Sequence, residues 1–151
     1  MRFPFPLQAL LNWKRHAEEI SHIRLGDKIT RLKTKEKEIQ QCAKKRIAYD
    51  EELRKKSLLG IKAHEFVIYK QFDEYSRAEL LLKEIEKREA SRELDQEREE
   101  LIARTKERKI FEKLKEKRLK SFLQQAEKIE QKSNDEMTVM KYKFPTRVKP
   151  S

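Results

Sequence analysis

Apolar positions recur along this chain at intervals of three and four, the spacing that keeps one face of an α-helix turned toward a partner. Leu10, Trp13, Ala17 and Ile20 open the pattern. A second register takes over with Leu25, Ile29, Leu32, Ile39, Ala43 and Leu53, interrupted at Glu36. The two registers do not join cleanly, and Gly26 lies where they meet, so a local stutter in the winding is expected there. After Gly60 the period resumes through Phe66, Tyr69 and Phe72, then Ala78, Leu82 and Ile85. Leu94 and Leu101 carry it more sparsely, and Leu119, Phe122, Ala126 and Ile129 close it.

The residues that break helices are placed to suit this reading. All four prolines (Pro4, Pro6, Pro145, Pro150) sit at the ends, and Gly26 and Gly60 are the only glycines. Pro6 fits a first helical turn, where its missing N–H costs nothing. The spacing therefore predicts an all-α chain, a long antiparallel two-helix coiled coil over residues 1–140. Helix one should cover about 6–57, the tip should lie near Gly60, and helix two should cover about 62–133. At 1.5 Å per residue these helices measure ~75 Å and ~105 Å. A residue and its partner should have numbers adding to roughly 120, which leaves the last ~15–20 residues of helix two overhanging the start of helix one. Disorder is expected from about Ser133, with 141–151 a disordered basic tail.

Charge supports the fold-back. Residues 20–60 hold twelve Lys/Arg against six Asp/Glu, whereas residues 61–101 hold eight against twelve. Opposite net signs thus face each other within one chain, which favours a monomeric hairpin over parallel self-association. Positive charge collects in residues 102–151, fifteen basic against seven acidic. Charged residues make up 43% of the chain and hydrophobic ones 36%, poor material for a compact core but enough for a narrow seam. Cys42 is alone, so a reducing compartment fits. No apolar run approaches the ~18 residues of a membrane span, and the opening Met1-Arg2-Phe3-Pro4-Phe5-Pro6 lacks the features of a signal peptide. The expected location is cytoplasmic.

No catalytic constellation stands out. His16, His22 and His64 offer no metal-binding pair, no glycine loop exists to cradle phosphate, and the carboxylates fall on open helical faces, so no enzyme, metal or cofactor is expected. Two clusters invite a partner instead. Phe66, Tyr69, Phe72 and Tyr75 crowd behind the tip; Phe66 and Tyr69 should pack the hairpin end, leaving Phe72 or Tyr75 outward as a protein-binding anchor. A basic stretch contains Arg104, Lys106, Arg108, Lys109, Lys113, Lys115, Lys117 and Arg118, with Lys120 just beyond. It could meet nucleic-acid phosphates, but Glu107, Glu112 and Glu116 dilute it and no stacking aromatics are interleaved, so a solvated face or an acidic protein is the better match.

The order of several short elements resembles the FliJ family of flagellar export proteins. They are Phe3-Pro4-Phe5-Pro6-Leu7-Gln8-Ala9-Leu10-Leu11 followed by Glu18-Glu19, then Gly60 followed by Tyr69-Lys70-Gln71-Phe72. Glu107-Arg108-Lys109, Glu112-Lys113-Leu114-Lys115-Glu116-Lys117-Arg118, Glu130-Gln131-Lys132 and Asp135-Glu136-Met137 follow, so the likeness runs from about residue 3 to residue 140. The resemblance implies a coiled coil similar to the stalk of a rotary ATPase gamma subunit. It also implies association with the export ATPase FliI, its regulator FliH and the export-gate protein FlhA, a chaperone-like role, and a position at the cytoplasmic face of the inner membrane held through partners only. The family's gate-binding surface maps onto Tyr69 and Phe72, and Tyr49 matches a family aromatic on the facing helix. A further apolar contact of the family falls at Ser76, where this chain has serine with Tyr75 and Ala78 nearby.

These lines join in one expectation: Tyr49, Tyr69, Phe72 and Tyr75 meet the export gate, and the basic stretch from Arg104 to Arg118 faces the hexameric ATPase. Other functions compatible with the sequence are the equivalent stalk of a virulence secretion injectisome, a stand-alone export chaperone, and a basic nucleic-acid-binding rod.

Overall fold

The computed structural model describes residues 2–143. Two helices make up nearly all of it: α1, Gln8–Leu59, and α2, Ala63–Lys143. Pro6 stands just before α1, where the Phe5 and Leu7 carbonyls accept the Gln8 and Leu11 N–H groups at 3.0 and 2.9 Å. Gly60 separates the helices with φ at +94°, a left-handed conformation that side chains with a Cβ resist. The Lys62 carbonyl accepts the Phe66 N–H at 3.1 Å as α2 begins. Glu65 places a negative charge in that first turn, and Lys141 and Lys143 place positive charge in the last, both favourable to the helix dipole.

The chain forms two compact units. One comprises residues 16–105, the other residues 2–15 with 106–143.

In the 16–105 unit the helices run antiparallel, because partner numbers fall on α2 as they rise on α1. Lys28 pairs with Glu93 at 2.8 Å, Lys35 with Glu86 at 2.8 Å, and Glu38 with Lys83 at 3.3 Å. Tyr49 stacks on Phe72 at 3.8 Å between ring centres. Each of these pairs has numbers adding to 121, one away from the expected 120. Along α1, with Ala17, Ile29, Glu38 and Ala43 half-buried at its flank, the seam runs through Glu18, Ser21, Leu25, Lys28, Leu32, Lys35, Ile39, Cys42, Arg46 and Leu53. With the more open Tyr49 they alternate three and four without a break. On α2 the matching positions include Tyr69, Asp73, Ser76, Leu80, Lys83, Lys87, Ala90, Leu94, Glu97, Leu101 and Arg104. Ser21, Ser76, Ala90 and Leu94 are buried to within 4% of full enclosure. Small residues let the backbones approach, while lysine and arginine lay their methylene stems over the seam and carry their charges to its edges.

The structure corrects the expected seam at three places: the start of α1, the middle of α2, and the close of the pattern, where Leu119 and Ile129 are 37 and 60% exposed. Leu10, Trp13 and Ile20 are 36, 58 and 38% exposed, while Leu11 is fully buried and Ser21 2% exposed, one residue further along. On α2, Ala78 is exposed and Leu82 and Ile85 are 58 and 52% exposed, while Ser76, Leu80 and Lys83 turn inward. Hydrophobicity marked a neighbouring stripe; cross-helix ion pairs and small residues set the one that packs. There is no stutter at Gly26 either. It lies inside an uninterrupted α1, the seam keeps its three–four alternation past it, and the Thr30 hydroxyl donates to its carbonyl at 3.1 Å.

In the unit of residues 2–15 and 106–143, Leu11 is the fully buried side chain. Lys14 binds Glu107 at 2.6 Å, Arg15 binds Glu112 at 3.2 Å, and Lys115 donates to Gln8 at 2.8 Å. Phe3 lies 5.5 Å from Phe122, so the segment before α1 folds onto α2. α2 then continues through Lys143, ten residues past the expected end near 133, with no glycine or proline in that stretch to stop it. Of the expected basic tail 141–151, residues 141–143 are helical and 144–151 lie outside the described residues.

Candidate functional site

Two surfaces carry side chains that the hairpin itself does not use up. The first lies on α2 behind the turn, in the 16–105 unit. Tyr49 of α1 reaches over to α2 and packs against both Phe72, nearly parallel at 22°, and Tyr69, at 5.4 Å and 57°. Lys56 lies 5.3 Å over the Tyr69 ring, and the Tyr69 hydroxyl beside it, more than Glu52, holds the Lys56 ammonium above the usual lysine range. The cleft between these rings, Arg46 and Asp73 measures about 10 Å³, room for one water at most. Arg46 binds Asp73 at 3.1 Å, and that bond keeps the Asp73 carboxyl below its ordinary range.

Three of the four candidate gate residues are therefore one cluster. Tyr49 is 39% exposed and Tyr69 and Phe72 are half-buried, so the cluster is partly structural. Tyr75 stands apart, 68% exposed. It belongs to a second stripe on α2 in which Ile68, Tyr75 and Leu82 recur every seven residues, with Ala78 and Ile85 interleaved. Their exposure runs from 52 to 68% where they are large. Seven-residue recurrence of apolar side chains is the mark of a helix–helix seam, yet among the described residues nothing covers this one. Leu82 and Ile85 were assigned to the intramolecular seam by sequence; once the register is shifted by one, the same periodicity identifies them as outward.

The second surface is the basic segment of α2. Arg104 belongs to the 16–105 unit, is half-buried on the seam, and bonds Glu100 at 3.5 Å. Arg108 and Lys115 also lie along the seam: Arg108 binds Glu112 at 2.6 Å, and Lys115 is held by Gln8 and lies 5.9 Å from the Phe5 ring. The Arg108 bond, ahead of Arg15, keeps the Glu112 carboxyl below its ordinary range. Arg118 rests 6.0 Å over the same Phe5 ring. Lys106, Lys109, Lys113 and Lys117 are exposed and, with Lys120, step by three or four along one face. The eight expected basic residues thus separate into three occupied by the seam, one capping an aromatic ring, and four lysines that present a continuous cationic stripe. Among the described residues no group of three or more His, Cys, Asp or Glu side chains is placed to hold a metal ion, and no helix is long and apolar enough to cross a membrane.

No curated protein matches the chain. Among solved structures, a YscO homolog from Chlamydia trachomatis, CT670, is similar in fold: the TM-score is 0.59 at 19% identity, over 98% of this chain and 100% of that one. The family model described as flagellar FliJ protein matches residues 3–145, and with the hairpin and its register in place the chain belongs to the FliJ family.

Proposed function

We propose that this export-associated protein couples the flagellar export ATPase to the export gate and serves as a general export chaperone. In this reading the lysine stripe of α2 meets the FliI hexamer and its regulator FliH. The aromatic cluster Tyr49, Tyr69 and Phe72, extended by Tyr75, meets FlhA. The observation that carries it is the lysine stripe: Lys106, Lys109, Lys113 and Lys117 are exposed on one helical face and make no ion pair within the described residues. Such a stripe raises the encounter rate and register with an acidic surface more than it contributes raw affinity. A stalk that shifts ATPase assembly must bind the assembled state better than the separate subunits, since equal affinity shifts nothing.

The decisive experiment is an ATPase assay on purified FliI with the full chain. Wild type should stimulate hydrolysis, and Lys109→Glu/Lys113→Glu/Lys117→Glu should lose most of that stimulation, with a weaker salt dependence in what remains. Wild-type stimulation by the triple variant would remove the stripe from the ATPase contact. A chaperone acting alone would instead form one-to-one complexes with export substrates and leave ATP hydrolysis unchanged.

A further inference from the structure

The turn between the helices carries a feature that neither the seam nor the two surfaces above explain. Leu58 and Leu59, consecutive residues at the end of α1, are 84 and 90% exposed. Helix ends normally turn such residues inward, and here Ile61 does so, being half-buried. Gly60 takes the positive φ at the reversal, and the two leucines lie just before it, open to solvent. The charge nearest them in the chain has one sign, with acidic residues resuming at Glu52 on one side and Glu65 on the other. From Leu53 to His64 the chain holds Arg54, Lys55, Lys56 and Lys62 and no acidic residue. Lys56 is engaged by Glu52 and Tyr69, but Arg54, Lys55 and Lys62 make no ion pair among the described residues.

We infer that this turn is a membrane-surface docking element, in which Leu58 and Leu59 enter the headgroup boundary of an anionic bilayer while Arg54, Lys55 and Lys62 lie on its phosphates. Two observations favour a lipid surface over a protein one. Leu59 and Leu58 stand open at the turn, Leu58 bordering a shallow groove with Leu53 and Phe66; a protein partner would need a surface shaped to both, whereas a bilayer accepts any small apolar protrusion. The cations flank the leucines on both sides of the turn, complementary to a uniformly negative surface rather than to a local carboxylate. The contact is direct, so it adds to any recruitment through protein partners and stands independently of the ATPase-coupling reading.

The test uses the full chain with vesicles of phosphatidylcholine, with and without phosphatidylglycerol. Co-sedimentation should require phosphatidylglycerol and should weaken about tenfold or more for each leucine changed in Leu58→Ser and Leu59→Ser. Circular dichroism should be unchanged, since both positions are open to solvent. Because the chain carries a net charge of +11, acidic vesicles could hold it elsewhere, so insertion is read separately. In a Trp13→Phe/Leu59→Trp variant the indole fluorescence should shift to the blue on phosphatidylglycerol vesicles and be quenched by brominated lipid. Vesicle binding that survives Leu58→Ser/Leu59→Ser, an indole that no lipid quencher reaches, or association only when the export-gate protein is present would each overturn the inference.

Discussion

An alanine at Gly60 would have to hold a φ of +94°, although the space around the glycine is empty. An alanine at Gly26 would find equally empty space in a helical backbone that already suits it. The same substitution therefore has opposite signs: Gly26→Ala should stabilise by about 0.5–1 kcal/mol and Gly60→Ala should destabilise by about 1 kcal/mol. Urea unfolding followed by circular dichroism measures both, and a loss at Gly26 would mean the helix bends there. Register can be tested in the same way. Leu94, 4% exposed, should cost at least about 2 kcal/mol as alanine, while Leu82, 58% exposed, should cost no more than ~0.5 kcal/mol. At this scale the sequence was only half legible. Leu25, Leu32, Ile39 and Leu53 identified themselves as seam residues. Leu11, Ser21 and Ser76 did not, because more hydrophobic neighbours form parallel stripes one or two positions away.

The two helices are joined through ion pairs as much as through apolar contact. Glu86 is held below the ordinary carboxylate range by its bond to Lys35, Glu93 by Lys28, and Asp73 by Arg46. A carboxylate depressed in the folded state contributes stability that is complete above its unfolded value, near pH 4, and disappears as pH falls through the folded value. Thermal stability should therefore be level through neutral pH and decline below about pH 4–5, and added salt should flatten the decline. Lys35, raised chiefly by Glu86, contributes in the opposite direction: that part is lost only as pH climbs above the ordinary lysine range. These groups are open to solvent, so each pair is a small effect and the sum is what a melt will detect. A different regime should hold at the end of α2. Residues 131–143 are exposed throughout and face no other helix, so their amides should exchange hydrogen faster than those from Ala90 to Leu101. Equal protection would mean that the extension has found a partner in solution.

For the molecule as a whole, the hairpin predicts intramolecular proximity that parallel association would not. Spin labels at Ile23 and Arg98, both outward on the 16–105 unit, should broaden one another in a Cys42→Ala background. The broadening should persist when labelled chain is diluted with unlabelled chain; its loss would assign the pairing to two molecules. The direction of charge agrees with pairing in cis, since Lys28, Arg31, Lys35 and Arg46 of α1 all meet carboxylates of α2. Lys83 and Lys87 of α2 reverse that order, on Glu38 and Glu36.

Helix type and the single reversal were determined by the sequence alone. Both depend on local terms: the absence of proline and glycine over long stretches, an apolar period between three and four, and one glycine where φ must be positive. Which side is buried at the start of α1 and around Ala78, Leu82 and Ile85 of α2 was decided only by tertiary structure. Neighbouring stripes differ little in hydrophobicity on a chain this charged, and the choice between them rests on Lys28, Lys35 and Arg46 finding Glu93, Glu86 and Asp73 across the seam. The outward faces follow from that choice, because a side chain is free for a partner only after its neighbour has been taken inward.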